Sequence, residues 1–214
     1  MINEIKFTLI ADGTSDKALV NIIKWLLDDL YPEVPNKINF ADFKYLKKPP
    51  LKKDIVSQIN TARKYYPFDI LIYHRDAESN KIETVEDRIK EIFKNLEDDK
   101  DIDSLVCVIP VRMMESWLLI NEDAIKKAAG NRNYIGEIEI PLIYNIEKIP
   151  KPKELLHRLL KEASGNTGRR LKKFNPHRAV QLVAENINDF SALRSLDAFK
   201  RFEKDLGEIL KNKL

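Results

Sequence analysis

Four apolar segments alternate with amphipathic segments in the first half of the chain, and this alternation constrains the fold more than any other feature. The apolar segments have the length and composition of buried strands and cover residues 5–11, 38–43, 69–74 and 105–111. Between them, apolar residues recur at helical spacing over residues 18–30, 55–62 and 85–93. Strands that alternate with helices form a mostly parallel sheet covered on both faces. We therefore predict an α/β fold with a mostly parallel four-stranded sheet flanked by helices.

The pattern changes after the fourth apolar segment, where only helices are predicted. Helical patterns cover residues 114–119, 122–129, 152–163, 175–187 and 195–211. Residues 131–150 are predicted to be irregular, and residues 164–173 to be a flexible basic loop, because two glycines lie there among polar side chains. We predict an α/β domain over residues 1–130, and a helical C-terminal extension over residues 131–214 that packs on the same domain.

Composition and missing motifs exclude several classes of protein. One cysteine and three histidines are too few for a disulfide framework or a Cys/His zinc site. No apolar run approaches the roughly 20 residues that span a bilayer, and the first residues lack the features of a signal peptide. The chain also has no dinucleotide-binding, P-loop or hydrolase-elbow motif. We therefore expect a cytoplasmic protein with no membrane association.

Acidic residues follow three of the four predicted strands. Asp12 follows the first, Asp76 and Glu78 follow the third, and Glu115 follows the fourth. Ligands of open α/β sheets bind outside the carboxyl ends of the strands, and carboxylates that meet there repel each other unless a cation or protons intervene. Their oxygen atoms suit Mg²⁺ or Mn²⁺. The sequence predicts a phosphoryl-transfer site in which all four are catalytic and Asp12, Asp76 and Glu78 hold the metal. Asp76 and Glu78 share a side if the backbone between them is extended.

Other roles are open for several residues near these strand ends. Asp12 is a metal ligand, a general acid or base, or a turn residue that caps the following helix. Asp16 fits the first turn of a helix, where it complements the macrodipole. His74 is interpreted as a packed histidine at a strand end. Glu115 either caps a helix or lies in the site, and Arg112 is positioned in the sequence to neutralise it.

Basic residues are concentrated in the last third of the chain. Residues 151–214 contain 15 Lys and Arg against 8 Asp and Glu, whereas residues 1–150 contain 22 against 26. An acidic first part and a basic second part fit a metal site beside a polyanion-binding surface, although a solvated surface is the alternative. The predicted phosphate- and nucleic-acid-binding residues are Arg75, Arg112, Lys47, Lys48, Arg169, Arg170, Lys172 and Lys173, with Lys44, Lys52, Lys53 and Arg178 in the same basic segments.

The order of these motifs resembles a known family. An Asp-Gly turn after the first strand and an acidic pair after a later strand are similar to the metal site of Toprim domains. Over most of its length the chain resembles the DUF4276 family of Toprim-like proteins. The segments that carry the resemblance are residues 11–16, 74–78, 109–119, 151–155 and 164–174.

The resemblance implies a Rossmann-like, Toprim-type fold and a role for each acidic residue. Asp12 would occupy the position of the usual catalytic glutamate, with a side chain one methylene shorter. Asp76 and Glu78 would match the metal-binding pair, and Glu115 the family's glutamate before tryptophan. The resemblance further implies a place in bacterial anti-phage defence, often beside an ATPase partner.

Three functional hypotheses follow. The first is a Mg²⁺- or Mn²⁺-dependent nuclease acting on DNA or RNA. The second is a non-catalytic nucleic-acid-binding or regulatory subunit of an ATPase-containing defence complex. The third is a phosphoryl-transfer enzyme acting on a small nucleotide.

Overall fold

A computed structural model describes residues 4–51, 54–97 and 102–214. Within these residues the chain forms one parallel sheet with the strand order β2-β1-β3-β4. Its strands are β1 (Ile5–Ile10), β2 (Asn36–Phe40), β3 (Ile70–His74) and β4 (Leu105–Val108). Each neighbouring pair runs parallel, which confirms the predicted α/β sheet. Because β1 and β3 are neighbours, the segments that follow them begin side by side at one edge of the sheet.

Helices cover the sheet and form the second part of the chain. They are α1 (Leu19–Leu30), α2 (Ile55–Tyr65), α3 (Ile82–Lys94), α4 (Glu122–Ala128), α5 (Pro152–Ala163), α6 (Gly168–Lys173), α7 (Pro176–Asn186) and α8 (Asp197–Lys213). Short 3₁₀ helices span Thr14–Ala18, Phe43–Tyr45, Ile102–Ser104, Met114–Leu118, Ile143–Lys148 and Ser191–Ser195. Asp54, Asn121 and Asn175 begin α2, α4 and α7, because each side chain accepts a hydrogen bond from a first-turn backbone N–H. None of the helices in the described ranges is long and apolar enough to cross a membrane.

Both parts of the chain contribute to one hydrophobic core. The strands β3 and β4 are buried along their whole length, as expected for a parallel sheet with helices on its faces. The helix α8 packs on β4, and the rings of Trp117 and Phe199 meet edge to face with centroids 5.3 Å apart. The helix α7 packs on α4 and on the 3₁₀ helix that follows β1. The C-terminal helices therefore lie against the segment that follows Asp12.

Four local predictions need correction, and two residues lie outside the described ranges. The prediction that the loop extends through residue 173 was wrong, because residues 168–173 form α6. After Gly168 this segment consists of strong helix formers. The predicted helix over 114–119 is a 3₁₀ helix over 114–118. The strand β4 stops at Val108, two residues before Pro110, and β2 covers residues 36–40 rather than 38–43. Lys52 and Lys53, which we predicted to belong to a basic loop, are outside the described residues.

Candidate active site

The turn after β1 places Asp12 at the carboxyl edge of the sheet. Asp16 organises this turn, since its Oδ2 accepts a hydrogen bond from the backbone N–H of Gly13 at 2.8 Å and its Oδ1 accepts one from the Ser15 hydroxyl at 3.2 Å. A Cβ at position 13 would come within 3.3 Å of Asp16 Oδ2, so glycine allows this close approach. Asp12 itself is exposed but partly desolvated by its neighbours, and its carboxylate accepts no hydrogen bond from the residues that the structure describes.

His74 lies at the centre of the acidic edge and is 1% exposed. Its Nδ1 is 2.9 Å from the carbonyl oxygen of Val108, and because a carbonyl only accepts, Nδ1 carries the hydrogen. The other ring nitrogen, Nε2, lies 3.5 Å from Asp76 Oδ1 and 3.8 Å from Asp16 Oδ2. Both distances are too long for good hydrogen bonds. The imidazole is thus packed at a strand end, as predicted, and its Nε2 also lies near two carboxylates, which we had not predicted.

Two carboxylates at this edge, Asp76 and Asp12, hold their protons more tightly than usual. The pKa of Asp76 is raised to about 6, chiefly by burial; the charges of Asp16 and Glu115 also raise it, whereas His74 and the hydrogen bond from the Met114 backbone lower it. That hydrogen bond reaches Asp76 Oδ1 at 2.9 Å.

The pKa of Asp12 is raised in the same direction, mainly by burial and further by Asp16 and Glu78, while His74 and Arg75 oppose the shift. The ionised forms of Asp12 and Asp76, which follow neighbouring strands, are therefore unfavourable. A bound cation would relieve this cost, and titratable groups perturbed in this way are concentrated at functional sites.

Two loops at this edge are joined through strained backbone. Among the described residues, Glu78 and Arg112 are the two non-glycine residues with positive φ, at 57° and 64°. The Glu78 N–H donates to the Arg112 carbonyl at 2.9 Å, and the Arg112 N–H donates to the Ser79 carbonyl at 2.9 Å. Such conformations cost about 1–3 kcal/mol each and are concentrated at functional sites. The loops after β3 and β4 therefore hold each other in place.

The strained backbone also decides where Glu78 lies. The segment from Asp76 to Glu78 is not extended, so the condition under which both carboxylates share a side is not met. The Glu78 side chain is 76% exposed, and its Oε2 lies 3.9 Å from the guanidinium of Arg88 on α3. Glu78 still influences the pKa of Asp12, but only Asp76 of the predicted pair lies beside His74.

Glu115 is buried and paired with a residue from the second part of the chain. Its Oε1 lies 3.1 Å from Lys153 Nζ on α5, and the Glu115 side chain is 2% exposed. The contact is an ion pair without the angle of a hydrogen bond. Arg112, which we expected to neutralise Glu115, makes no ion pair among the described residues, and its Nε is buried without a partner. Arg75 pairs with Glu91 on α3 at 3.1 Å.

Six of the predicted basic residues are exposed and form no ion pair among the described residues. Lys47 and Lys48 lie in the loop before α2, and four more side chains lie on α6. In the described part of the chain none of these six forms an ion pair; the four on α6 are Arg169, Arg170, Lys172 and Lys173. Unpaired exposed cations on a surface are available to phosphates.

A separate groove lies between α7 and the segment that follows Asp12. Gln181 on α7 donates hydrogen bonds from Nε2 to the carbonyls of Thr14 and Ser15, at 3.0 and 3.1 Å. The groove between these elements is lined by Lys17, His177 and Arg178. Phosphates bound along α7 would therefore lie next to the acidic edge.

The structure brings together only part of the predicted acidic set. Asp12 and Asp76 lie at the same edge, Glu78 is turned outward, and Glu115 is held by Lys153. Asp16 and His74 complete the cluster. The sequence indicated that His74 could lie near Asp76, because residues two apart in an extended strand share a side. No group of three or more His, Cys, Asp or Glu side chains is arranged to hold a metal within residues 4–51, 54–97 and 102–214.

Comparison with known proteins adds no relative: no family model, no curated protein and no solved structure matches the chain.

Proposed function

We propose that this protein is a Mg²⁺- or Mn²⁺-dependent phosphoryl-transfer enzyme that cleaves nucleic acid. The observation that supports this most is the position of Asp12 and Asp76 after neighbouring parallel strands, both with raised pKa values and both influenced by the charge of His74. Structural ion pairs also perturb pKa values, but here the opposing charges are too few to neutralise the acids.

The donor chemistry at this edge fits a hard divalent cation. Mg²⁺ is usually held by one or two carboxylates together with substrate phosphates and water, rather than by a complete protein cage. An edge with two available carboxylates, and with no three-residue group among the described residues, is consistent with such a site. Asp12 and Asp76 would hold the ion, which when bound would polarise a phosphoryl oxygen.

The surrounding residues position these two carboxylates. The Met114 N–H fixes Asp76 Oδ1, and the Val108 carbonyl fixes the ring of His74 beside it. Asp12 has no hydrogen-bond partner among the described residues and is free to accept a proton or to bind the ion. Arg112, whose Nε is buried without a partner among the described residues, is a candidate for phosphate contact in the loop after β4.

Nucleic acid is the proposed substrate because several basic residues in the described part of the chain are exposed and form no ion pair. The exposed cations of α6, and Lys17 and Arg178 in the groove beside the Asp12 turn, offer several phosphate contacts. A small nucleotide would need far fewer of them. Binding through such contacts falls steeply with salt concentration.

The test compares metal binding and cleavage in three variants. At a hundredfold excess over Kd, Mn²⁺ is expected to raise the free energy of unfolding of wild type by about 2.7 kcal/mol, and with it the unfolding temperature. Wild type is also expected to cleave DNA or RNA oligonucleotides. Asp12→Asn and Asp76→Asn should abolish both effects. Asp87→Asn is the matched control, because Asp87 is exposed on α3. Cleavage without Mn²⁺ or Mg²⁺, or cleavage that survives Asp76→Asn, would contradict the proposal.

A second candidate is a nucleic-acid-binding subunit that does not cleave. The exposed, unpaired α6 cations favour it independently of the acidic edge. It predicts tight, salt-sensitive binding with no cleavage by the chain alone. The ATPase partner suggested by the family resemblance is tested by repeating the cleavage assay with any ATPase whose gene neighbours that of this protein.

A further inference from the structure

We infer that the cavity beside Asp12 binds one nucleobase of the substrate, an inference that rests on the proposed function for the position of the phosphate. The cavity measures about 530 Å³, within the usual range for small-molecule sites. One wall is the segment from Ala11 to Thr14 after β1. The opposite wall comes from the segment after β2 and from the loop before α2.

The lining has the chemistry that a flat heterocycle needs. Phe40 and Phe43 supply aromatic rings, and Pro49 and Pro50 supply further apolar surface. Bases stack on such rings with little dependence on their identity. The rings of Phe43 and Tyr66 pack edge to face, with centroids 6.0 Å apart, so the orientation of Phe43 is set before a base enters.

Polar groups occur at the cavity where the edge of a base would lie. Asp42 uses one carboxylate oxygen to accept the Lys44 N–H, which fixes the side chain and leaves its second oxygen as an acceptor. Gln58, only 4% exposed, is held by the hydroxyl of Tyr73. A few fixed polar groups in a mostly apolar cavity are typical of specific ligand sites.

The position of the cavity identifies a nucleotide rather than a lipid or an apolar peptide as its occupant. Asp12 lines the cavity and also belongs to the cluster with His74 and Asp16. Lys44 lies in the wall formed by the segment after β2, and Lys47 and Lys48 follow it as exposed cations. A ligand that reaches from the acidic edge into the cavity therefore needs a phosphate at one end and an apolar ring at the other. Within a strand, this requires a base that is turned out of its stack.

Calorimetric titration in Mg²⁺ tests the inference. The ligands are AMP, GMP, CMP and UMP, each compared with ribose 5-phosphate, which lacks the base. At least one nucleotide should bind about tenfold more tightly or better, as expected for one base–aromatic stack. Equal affinity of ribose 5-phosphate and all four nucleotides for wild type would overturn the inference without any variant.

Variants locate the base within the cavity. Phe43→Leu should remove most of the advantage of the nucleotide over ribose 5-phosphate, and Phe43→Tyr should retain it, because only tyrosine restores a planar ring. Phe93→Leu is the matched control, since Phe93 is a half-buried ring on α3 outside this cavity. Unfolding temperatures establish that each variant is folded. An unchanged advantage in folded Phe43→Leu would overturn the inference.

Cleavage assays separate this inference from the proposed function. Cleavage of oligonucleotides together with equal binding of nucleotides and ribose 5-phosphate would retain the enzyme and reject the base site. Base-dependent binding that is sensitive to Phe43→Leu, without cleavage under any metal condition, would retain the base site and reject the nuclease.

Discussion

Replacing Asp76 by asparagine should stabilise the metal-free protein while abolishing metal binding. The reason is that the folded protein holds the Asp76 carboxyl in a buried position near Asp16 and Glu115, and this raises its pKa to about 6 from the ordinary 3.8. An asparagine is neutral, and its Oδ1 can still accept the hydrogen bond from the Met114 N–H. The substitution therefore removes an unfavourable charge and keeps the main contact.

The pKa shift sets the size and the pH range of the effect. A folded-state pKa about 2 units above the unfolded value corresponds to about 3 kcal/mol. Between pH 4 and 6 the unfolded chain ionises at this position while the folded chain keeps its proton, so wild-type stability falls as the pH rises. Above pH 6 both states are ionised and the cost stays constant. Asp76→Asn should match wild type at pH 4 and exceed it by up to about 3 kcal/mol at pH 7.

Urea unfolding at a series of pH values in EDTA measures this difference directly. At pH 7 a gain of this size corresponds to an increase of roughly 6–12 °C in Tm for a chain of this length. Added Mn²⁺ should then stabilise wild type and leave Asp76→Asn unchanged. Asp87→Asn should show neither effect. If Asp76→Asn is less stable than wild type at pH 7, or equally stable at every pH, the reasoning about the buried carboxylate is refuted.

Three further predictions concern other charged groups. Lys153→Met should destabilise the protein by roughly 3 kcal/mol in urea unfolding, because Glu115 is left buried without its cation. This value is at the low end for a broken buried ion pair, since the Lys153 side chain is itself 34% exposed. Glu147→Gln should stabilise by up to about 3 kcal/mol at pH 8 and by nothing at pH 4, since burial raises the pKa of Glu147 to about 7 and its Oε1 has no partner. Arg170→Ala should weaken binding of duplex DNA and lower the slope of log K against log salt by about 0.9.

Each of these predictions has its own control. The double variant Lys153→Met with Glu115→Gln should recover much of the lost stability, and a failure to recover would show that Lys153 acts through packing. Glu147→Gln should leave the Mn²⁺ response intact, unlike Asp76→Asn. Lys204→Ala removes an exposed cation that already faces Glu208 on α8, so an equal loss of DNA affinity there would show that net charge rather than α6 controls binding.

The sheet was predictable because burial on both faces leaves a strong trace in the sequence. Strands β1, β3 and β4 coincide with apolar runs that few other structures tolerate. The helix α6 was missed because it buries no side chain, and so it produces no apolar stripe for a periodicity argument to detect.

The acidic edge was only partly predictable, since side-chain direction depends on backbone angles that the sequence does not fix. The positions of Asp12 and Asp76 followed from strand ends in a parallel sheet. The outward turn of Glu78 depends on a positive φ, which is uncommon for glutamate. The pairing of Glu115 with Lys153 joins residues 38 positions apart, and only tertiary packing brings them together.

The attachment of Gln181 to the Asp12 turn has a consequence for how this chain can vary. Its amide reaches main-chain carbonyls at positions 14 and 15, and every amino acid carries such a carbonyl. Side chains at positions 14 and 15 can therefore change while these two hydrogen bonds persist. A single substitution at position 181 would remove both hydrogen bonds between α7 and the turn without altering any acidic or basic residue.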